Sequence, residues 1–401
     1  MIGKLAFAGG MALAMVTPAL ADGDTVKVGA PMVLSGSSAV VGQGGLEGLK
    51  MAIADINKEG GLLGKQIELV VADDAGNPAT ANTVTRNMIL NNEIVAMFPG
   101  SNSASGAAEE VLAGQYKIPA IFFSATDISL TTTNYNKYSF QMSPSTYMDP
   151  RAWAAYIKDL GMKRVYVINP DINFGHSYTQ NLKAGLSENG SGAEIVGEQY
   201  PALGTTDFSA YISAAGASNP DFIFLGLLPG DLVTFLRQAG GYGLFDHAQA
   251  GAPNAVDVIT TMRDETPKNL NLRSITPLYF QGADASIEAF AKRYHDDHGK
   301  WPTEWPVLSY AAFQTWADAV KHAQSFDGDA VVKAFNESGL KSIRGTVQFR
   351  TCDNQAQIPV YIGKASASSD AEHGFPLMAD YKKIAPEDML MPCDQAKKLQ
   401  K

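Results

Sequence analysis

Short apolar runs alternate with segments of helical period along most of this chain, and this alternation limits the possible folds more than any other feature. The first run, VKVGAPMVL, is followed by Leu46, Leu49, Ile53 and Ile56, whose three- and four-residue spacing places them on one face of a helix. A second run, QIELVVADD, follows a Gly-rich turn. Strands that alternate with helices in this way are typical of a parallel sheet covered by helices on both faces.

The alternation of strands and helices occurs twice along the chain. It is interrupted at the stretch YSFQMSPSTYMDP and resumes with the apolar runs RVYVINP, EIVGEQYP and DFIFLGLLPG. We therefore expect two α/β lobes with a cleft between them. Ligands of open parallel sheets bind beyond the carboxyl ends of the strands, so the loops after AMFPG, AIFFS and FLGLL should face that cleft.

The first 21 residues have the layout of a secretory signal peptide. Lys4 precedes an apolar stretch from Leu5 to Val16, and Ala19 and Ala21 form an A-x-A cleavage site. An uncleaved anchor is the weaker alternative, because the apolar stretch is shorter than the ~20 residues that span a bilayer. We expect a mature, soluble protein that begins near Asp22 and is exported to the periplasm.

Charge and cysteine content limit the binding partners, cross-links and metal sites that the chain can have. The formal net charge of −10, with no basic stripe, argues against nucleic acid and anionic membranes. The two cysteines, Cys352 and Cys393, favour one disulfide in an exported protein, with two buried free thiols as the alternative. A metal site is not expected, since two cysteines without a neighbouring His cluster supply too few ligands.

No motif in the chain demands catalysis or a cofactor. GQGGLEG departs from the dinucleotide fingerprint at Glu47, which predicts instead a flexible loop that opens the first helix. GGLLGKQ lacks the first Gly and the final Ser or Thr of a phosphate-binding loop. HDDH at 295–298 is typical of a solvated helix end, and His176 has no recognisable nucleophile partner.

Small hydroxyl residues end two neighbouring strands of the first lobe. Ser103, Ser124 and Thr126 stand at strand ends or helix starts, where backbone N–H groups lack partners and hydroxyls can donate. Together with the positive end of a helix dipole they could hold a carboxylate. Ordinary helix capping without a ligand is the alternative that the residues alone leave open.

Several of these segments, taken in order, resemble the periplasmic branched-chain amino-acid-binding proteins, the solute receptors of ABC transporters. The resemblance begins at VKVGAPMVLSGSSAVVGQGGLEGLK and continues through FPGSNSASGAA, IPAIFFSAT, DINFGHSY and FLRQAGGYG. It implies two Rossmann-like three-layer α/β lobes joined by a three-segment hinge. The first lobe would contain residues 22–144 and about 276–345, and the second would contain 145–275 and about 346–401.

The resemblance also implies a binding site. The ligand carboxylate would be held by Ser103, Ser124, Ala125 and Thr126, and Phe174 would cover the ligand. The family's amine-binding Tyr and Glu have their counterparts here in Leu228 and in Asn254 or its neighbour Pro253, with Asp257 as a possible substitute acid. Because a buried cation without a countercharge is costly, these replacements weaken the case for an α-ammonium ligand. Further candidate wall residues are Tyr147, Trp301 and Trp305.

These features imply a monomeric, non-enzymatic solute-binding component of an ABC importer, which delivers its ligand to an inner-membrane permease. The ligand would be a small carboxylate: an aromatic or aliphatic acid, or a hydrophobic or branched-chain amino acid. A ligand sensor of the same fold that feeds a membrane signalling protein is the alternative. No cofactor is expected.

Overall fold

The structure is a computed structural model. It describes residues 25–36, 38–253, 255–262, 265–276, 285–337, 339–369 and 376–400. The predicted signal peptide lies outside these ranges. None of the helices within them combines the length and apolar character that a bilayer crossing requires.

Strands and helices alternate as the sequence predicts. In chain order the elements are β1 (Thr25–Met32), α1 (Ala39–Lys58), β2 (Gln66–Asp73), α2 (Pro78–Asn92), α3 (Ser103–Tyr116), β3 (Ala120–Phe122), β4 (Ser139–Gln141), α4 (Met148–Asp159), β5 (Arg164–Ile168), α5 (Asn173–Glu188), β6 (Glu194–Gln199), α6 (Ser209–Ala217), β7 (Phe222–Leu225), α7 (Pro229–Gly241), β8 (Gln249–Pro253), α8 (Ala255–Met262), β9 (Leu272–Thr276), α9 (Ala285–His298), α10 (Glu304–Ala323), α11 (Gly328–Glu337), β10 (Leu340–Ser342), β11 (Gly345–Val347), β12 (Val360–Ser369), β13 (Pro376–Ile384) and α12 (Cys393–Leu399).

The first lobe is built on a parallel arrangement of strands. β1 pairs with β2, and β3 pairs with β4. The segment 95–100 lies between the two pairs, because Met97 forms single parallel bridges with Gly29 of β1 and Ala120 of β3. The buried apolar residues of the first lobe form one cluster that includes Phe98, Phe122 and Trp316.

The second lobe contains a seven-stranded sheet in the order β13-β12-β9-β8-β7-β5-β6. The strands from β5 to β9 pair in parallel, whereas β12 is antiparallel to both β9 and β13. Helices cover both faces, and Trp153 of α4 packs against Phe222 and Phe224 of β7. Two sheets with separate cores therefore form the two-lobed α/β fold.

The glycines of GQGGLEG lie inside α1 and not in the flexible loop that the sequence predicts. A Cβ atom on Gly48 would come within 2.0 Å of the carbonyl oxygen of Pro306, and one on Gly45 within 2.4 Å of the Phe123 ring. These glycines allow α1 to pack closely against α10 and against Phe123, the residue directly after β3. The motif serves helix packing in the first lobe.

From the sequence, the first lobe is expected to end near residue 345, but in the structure the first lobe ends later in the chain. Val347, Phe349 and Ile358 belong to the buried cluster of the first lobe. The reason is a backbone connection to β4, in which the Gln141 N–H donates to Asn354 O and the Ala356 N–H donates to Gln141 O. Residues 345–358 thus extend the first lobe, and the chain enters the second lobe only at β12.

The carboxyl-terminal segment also departs from the expected division. After β13 it returns to the first lobe, where a disulfide joins Cys393 to Cys352. The side-chain amide of Gln400 donates to the carbonyl oxygens of Thr131 (3.3 Å) and Cys352 (2.7 Å). The segment that we expected in the second lobe therefore ends against the first.

Removal of this disulfide should lower the stability of the chain. The two cysteines are 41 residues apart, and loss of a loop of that size costs at most about 4 kcal/mol through the entropy of the unfolded chain. We expect Cys352→Ser/Cys393→Ser to unfold at lower urea concentration than the oxidised wild type, and reduced wild type to behave like the variant. Unchanged midpoints in all three samples would contradict this prediction.

Candidate functional site

A cavity of about 500 Å³ lies between the lobes. Its first-lobe side includes the amino end of α3 and the loop after β3. Its second-lobe side includes the amino ends of α5 and α7. These are carboxyl-terminal edges of parallel strands, where the sequence predicts a ligand. Because both lobes contribute walls, the cavity depends on their relative position.

The amino end of α3 is held rigidly at this cavity. The side chain of its capping residue, Asn102, accepts hydrogen bonds from the N–H groups of Ala104 and Ser105, each at 3.0 Å. The amide of Asn102 donates at 2.7 Å to the carbonyl oxygen of Gly76. The helix consequently presents the positive end of its dipole to the cavity, which favours a negatively charged group there.

Ser103 joins the ends of the two neighbouring strands directly. Its Oγ accepts hydrogen bonds from the backbone N–H groups of Thr126 (3.2 Å) and Asp127 (3.1 Å). Both Ser103 and Thr126 line the cavity. A hydroxyl that accepts two bonds still has its own proton to donate. The two predicted residues are therefore brought together, and the Ser103 proton can serve an acceptor in the cavity.

Ser124 lies at the cavity, where the sequence suggests it, whereas Ala125 does not. The Ser124 hydroxyl lines the cavity but donates its proton to the carbonyl oxygen of Ser101 at 2.9 Å. Ala125 is 1% exposed and belongs to the core of the first lobe, where its carbonyl accepts from the Gln141 side chain. Ser124 thus positions the loop that carries Ser101, and its hydroxyl proton is already in use.

The second-lobe wall is mainly apolar. Phe174 lies in the first turn of α5 and Leu228 directly precedes α7, and both side chains line the cavity. Pro253 lines it as well. Asn254 lies outside the described residues, and so does the side chain of Asp257. Leu228 accordingly offers an apolar contact at the place where the resemblance implies an amine-binding residue.

Of the three further aromatic candidates, Trp305 lines the cavity. Tyr147 lies elsewhere: its ring is buried beneath the guanidinium of Arg151, 3.4 Å from the ring centroid, and packs against the carboxyl-terminal segment. Trp301 stacks on His295 with 4.5 Å between ring centroids. Neither Tyr147 nor Trp301 belongs to the cavity wall as described, since other side chains cover their rings.

Sequence reasoning missed the three ionisable residues among the described residues that line the wall: Asp149, Tyr178 and Glu304. Asp149 lies in the first turn of α4, and burial raises the pKa of its carboxyl to about 7. Glu304 lies in the first turn of α10 and accepts a 3.1 Å hydrogen bond from Thr276. Acids in first turns are ordinary helix-stabilising residues, so the sequence carried no signal that would single them out.

The charge of the cavity wall is negative. It contains two carboxyl groups, and Lys, Arg and His are absent from its lining within the described ranges. An anionic ligand group would therefore have to rely on the dipole of α3, on backbone N–H groups and on hydroxyls. The carboxylate cradle, by which we mean Ser103, Thr126 and the amino end of α3, provides the helix dipole and the hydroxyls.

Two buried acids lie behind the carboxylate cradle. Asp74 is fully buried and accepts hydrogen bonds from Ser101 Oγ (3.0 Å) and the Gly76 N–H (2.7 Å). Glu109 of α3 is also fully buried. Burial, reinforced by the charge of Asp74, raises the pKa of Glu109, and burial likewise raises that of Asp74. Protonation of such acids reduces the negative charge behind the cradle.

Comparison with known proteins supports the two-lobed fold. A family model described as periplasmic binding protein matches residues 25–371. The leucine-specific-binding protein of Salmonella typhimurium is 26% identical over 361 residues, covering 86% of this chain and 92% of that protein.

Two solved structures are similar in fold. A solute-binding protein of an ABC transporter from Rhodopseudomonas palustris BisB5, in complex with 3,4-dihydroxy benzoic acid, has a TM-score of 0.81 and 21% identity, covering 90% of this chain and 98% of its own. The branched-chain amino acid transporter substrate-binding protein of Streptococcus pneumoniae, in complex with isoleucine, has a TM-score of 0.78 and 21% identity, covering 90% and 100%.

The buried acids of α3 should make stability depend on pH. Glu110 is 1% exposed, and burial raises its pKa from 4.5 to about 9. The folded chain keeps a proton that the unfolded chain releases, so the free energy of unfolding falls as pH rises across that interval, by up to about 1.4 kcal/mol per pH unit. We expect Glu110→Gln to lose this slope and to gain stability relative to wild type at pH 8 but not at pH 4.5.

Urea unfolding at pH 4.5, 6.5 and 8 measures this effect. Glu68→Gln makes the same substitution at an exposed carboxyl in β2 and is the matched control. If the Glu110→Gln and wild-type curves run parallel across this range, Glu110 does not retain its proton in the folded state.

Proposed function

Because the chain belongs to the periplasmic binding protein family, we propose that it is an exported, monomeric solute-binding component of an ABC importer that captures a small carboxylate between its lobes. The observation that carries the proposal is the carboxylate cradle at one side of an otherwise mainly apolar cavity. The proposed partner is the inner-membrane permease of that importer.

The carboxylate cradle suits a carboxylate in charge and in hydrogen bonding. The Asn102 side chain fixes the first turn of α3, so its positive end does not have to reorganise when an anion arrives. The Ser103 hydroxyl is held by two backbone N–H groups and has one proton to donate. Hydrogen bonds to a charged group are stronger than neutral ones, so a bond donated by the Ser103 hydroxyl to a ligand carboxylate can contribute substantially to affinity.

The remaining wall favours an apolar body on the ligand. Val33 and Trp305 of the first lobe face the same cavity as Phe174 and Leu228 of the second. An aromatic or branched aliphatic group would bury its surface against these side chains. The similar proteins solved with 3,4-dihydroxy benzoic acid and with isoleucine have ligands that combine a carboxylate with such a body.

Ligand binding would stabilise the closed arrangement of the lobes. A ligand held by Ser103 on one side and by Phe174 on the other contacts both lobes only when they are close together. Such a ligand has a higher affinity for the closed form, and this difference alone shifts the population toward it. The closed form would then be the one that the permease recognises.

Replacement of Ser103 should weaken carboxylate binding. Ser103→Ala removes the donated proton and the acceptor for two N–H groups, and we expect Kd to rise about 10- to 100-fold. Isothermal titration of mature protein with benzoate, 4-hydroxybenzoate, 4-methylpentanoate and isoleucine measures the effect. Ser213→Ala, at an exposed position on α6, is the matched control and should leave Kd unchanged.

Two outcomes would overturn the proposal. One is the absence of binding to every carboxylate of a broad panel, because a ligand at 100 times its Kd should stabilise the chain by about 2.7 kcal/mol. The other is chemical conversion of a bound compound by the pure protein, since a receptor returns its ligand unchanged.

A further inference from the structure

Buried polar groups lie at the second-lobe wall of the cavity. Among the described residues, Asp149 Oδ1 is buried and makes no hydrogen bond, and the buried Tyr178 hydroxyl has the indole N–H of Trp153 beside it as a donor but no acceptor for its own proton. Tyr178 is 1% exposed, and both Tyr178 and Asp149 line the cavity. A buried polar group without a partner costs free energy, so such a group at a cavity wall needs a reason.

The three groups form one cluster. Asp149 and Trp153 are four residues apart on α4 and therefore lie on the same face of that helix. Trp153 and Tyr178 both contact Phe224, at 5.5 and 4.9 Å between ring centroids, so the α4 face that carries Asp149 lies beside the phenol. The Tyr178 ring is fixed by stacking on Phe224, 4.9 Å between centroids, and by contact with Phe174 at 5.6 Å.

We infer that Asp149 and Tyr178 form a second polar subsite, the hydroxyl subsite, which binds a hydroxyl group that the ligand carries in addition to its carboxylate. The ligand class is thus a small hydroxylated carboxylic acid. This inference rests on the proposed function, since it assumes a carboxylate ligand in the same cavity.

The chemistry of the cluster favours a hydroxyl over the alternatives. A carboxylate accepts hydrogen bonds, a phenol donates and accepts, and an indole N–H only donates. A hydroxyl can donate to Asp149 while it accepts from Tyr178. An ammonium group can only donate, so it would leave the hydroxyl proton of Tyr178 without an acceptor. A purely apolar ligand would leave both Asp149 and that proton unpaired.

The electrostatics of the wall point the same way. The pKa of Asp149 is raised to about 7 by burial, so near neutral pH this carboxyl does not supply a full countercharge. Leu228, at the place where the resemblance implies an amine-binding residue, adds no charge. A neutral hydrogen-bonding group therefore matches this part of the cavity better than a cation does.

The test compares ligands that differ only at one substituent. The first series is benzoate, 3-hydroxybenzoate, 4-hydroxybenzoate and 4-aminobenzoate. The second is 4-methylpentanoate, 2-hydroxy-4-methylpentanoate and leucine. In wild-type mature protein we expect at least one hydroxylated member to bind about tenfold or more tightly than its unsubstituted parent, with no comparable gain for the amines.

Two conservative variants then locate the preference. Asp149→Asn and Tyr178→Phe should each reduce the hydroxyl preference, the ratio of the Kd of the parent acid to that of its hydroxylated form, to less than about threefold. Asp159→Asn, at the exposed end of the same helix, is the matched control and should retain the preference. Circular dichroism and thermal unfolding show whether each variant is folded, and either folded variant is sufficient for the test.

The outcomes separate this inference from the proposed function. If no carboxylate binds, the proposed function fails. If the parent acids bind and the hydroxyl gives no advantage, only the hydroxyl subsite is wrong. Preferential binding of leucine that is lost in Asp149→Asn would instead identify Asp149 as a countercharge for an ammonium group and would also overturn the inference.

Discussion

The two hydrogen bonds that Ser103 Oγ accepts from Thr126 and Asp127 connect the ends of adjacent strands of the first lobe. They determine how the amino end of α3 and the loop after β3 face each other, and hence where the carboxylate cradle lies. The bond from Ser124 to the Ser101 carbonyl fixes the same two loops from the other side. The first-lobe wall is therefore a cross-linked unit, whose groups are oriented before any ligand arrives.

The rigid first-lobe wall presents the positive end of the α3 dipole, whereas the opposite wall presents a buried acid, and this difference makes the cavity asymmetric. The first lobe offers backbone dipoles and a hydroxyl proton, whereas the second lobe offers Asp149 and Tyr178 between apolar side chains. Burial raises the pKa of Glu109 and of Asp74 and so disfavours negative charge behind the first side. A ligand with one anionic end and one neutral polar group would satisfy both walls, and its orientation would be determined by that difference.

Part of this arrangement could be predicted from the sequence, since it follows from local patterns. Alternating periodicity predicted the two α/β lobes, and the rule that parallel strands end at one edge brought Ser103 and Thr126 together. The remaining features depend on contacts between distant residues. The proton of Ser124 goes to a carbonyl 23 residues away, Tyr147 packs against the carboxyl-terminal segment, and residues 345–358 join the first lobe through β4. Asp149 was missed because its helical position has an ordinary explanation.

The return of the carboxyl-terminal segment to the first lobe has a topological consequence. The disulfide between Cys352 and Cys393 closes a covalent ring that leaves the first lobe, supplies β12 and β13 to the sheet of the second, and comes back. A protease that cuts the chain once between residues 353 and 392 would therefore release no fragment. In an exported protein exposed to proteases, both lobes would remain tethered after such a cut.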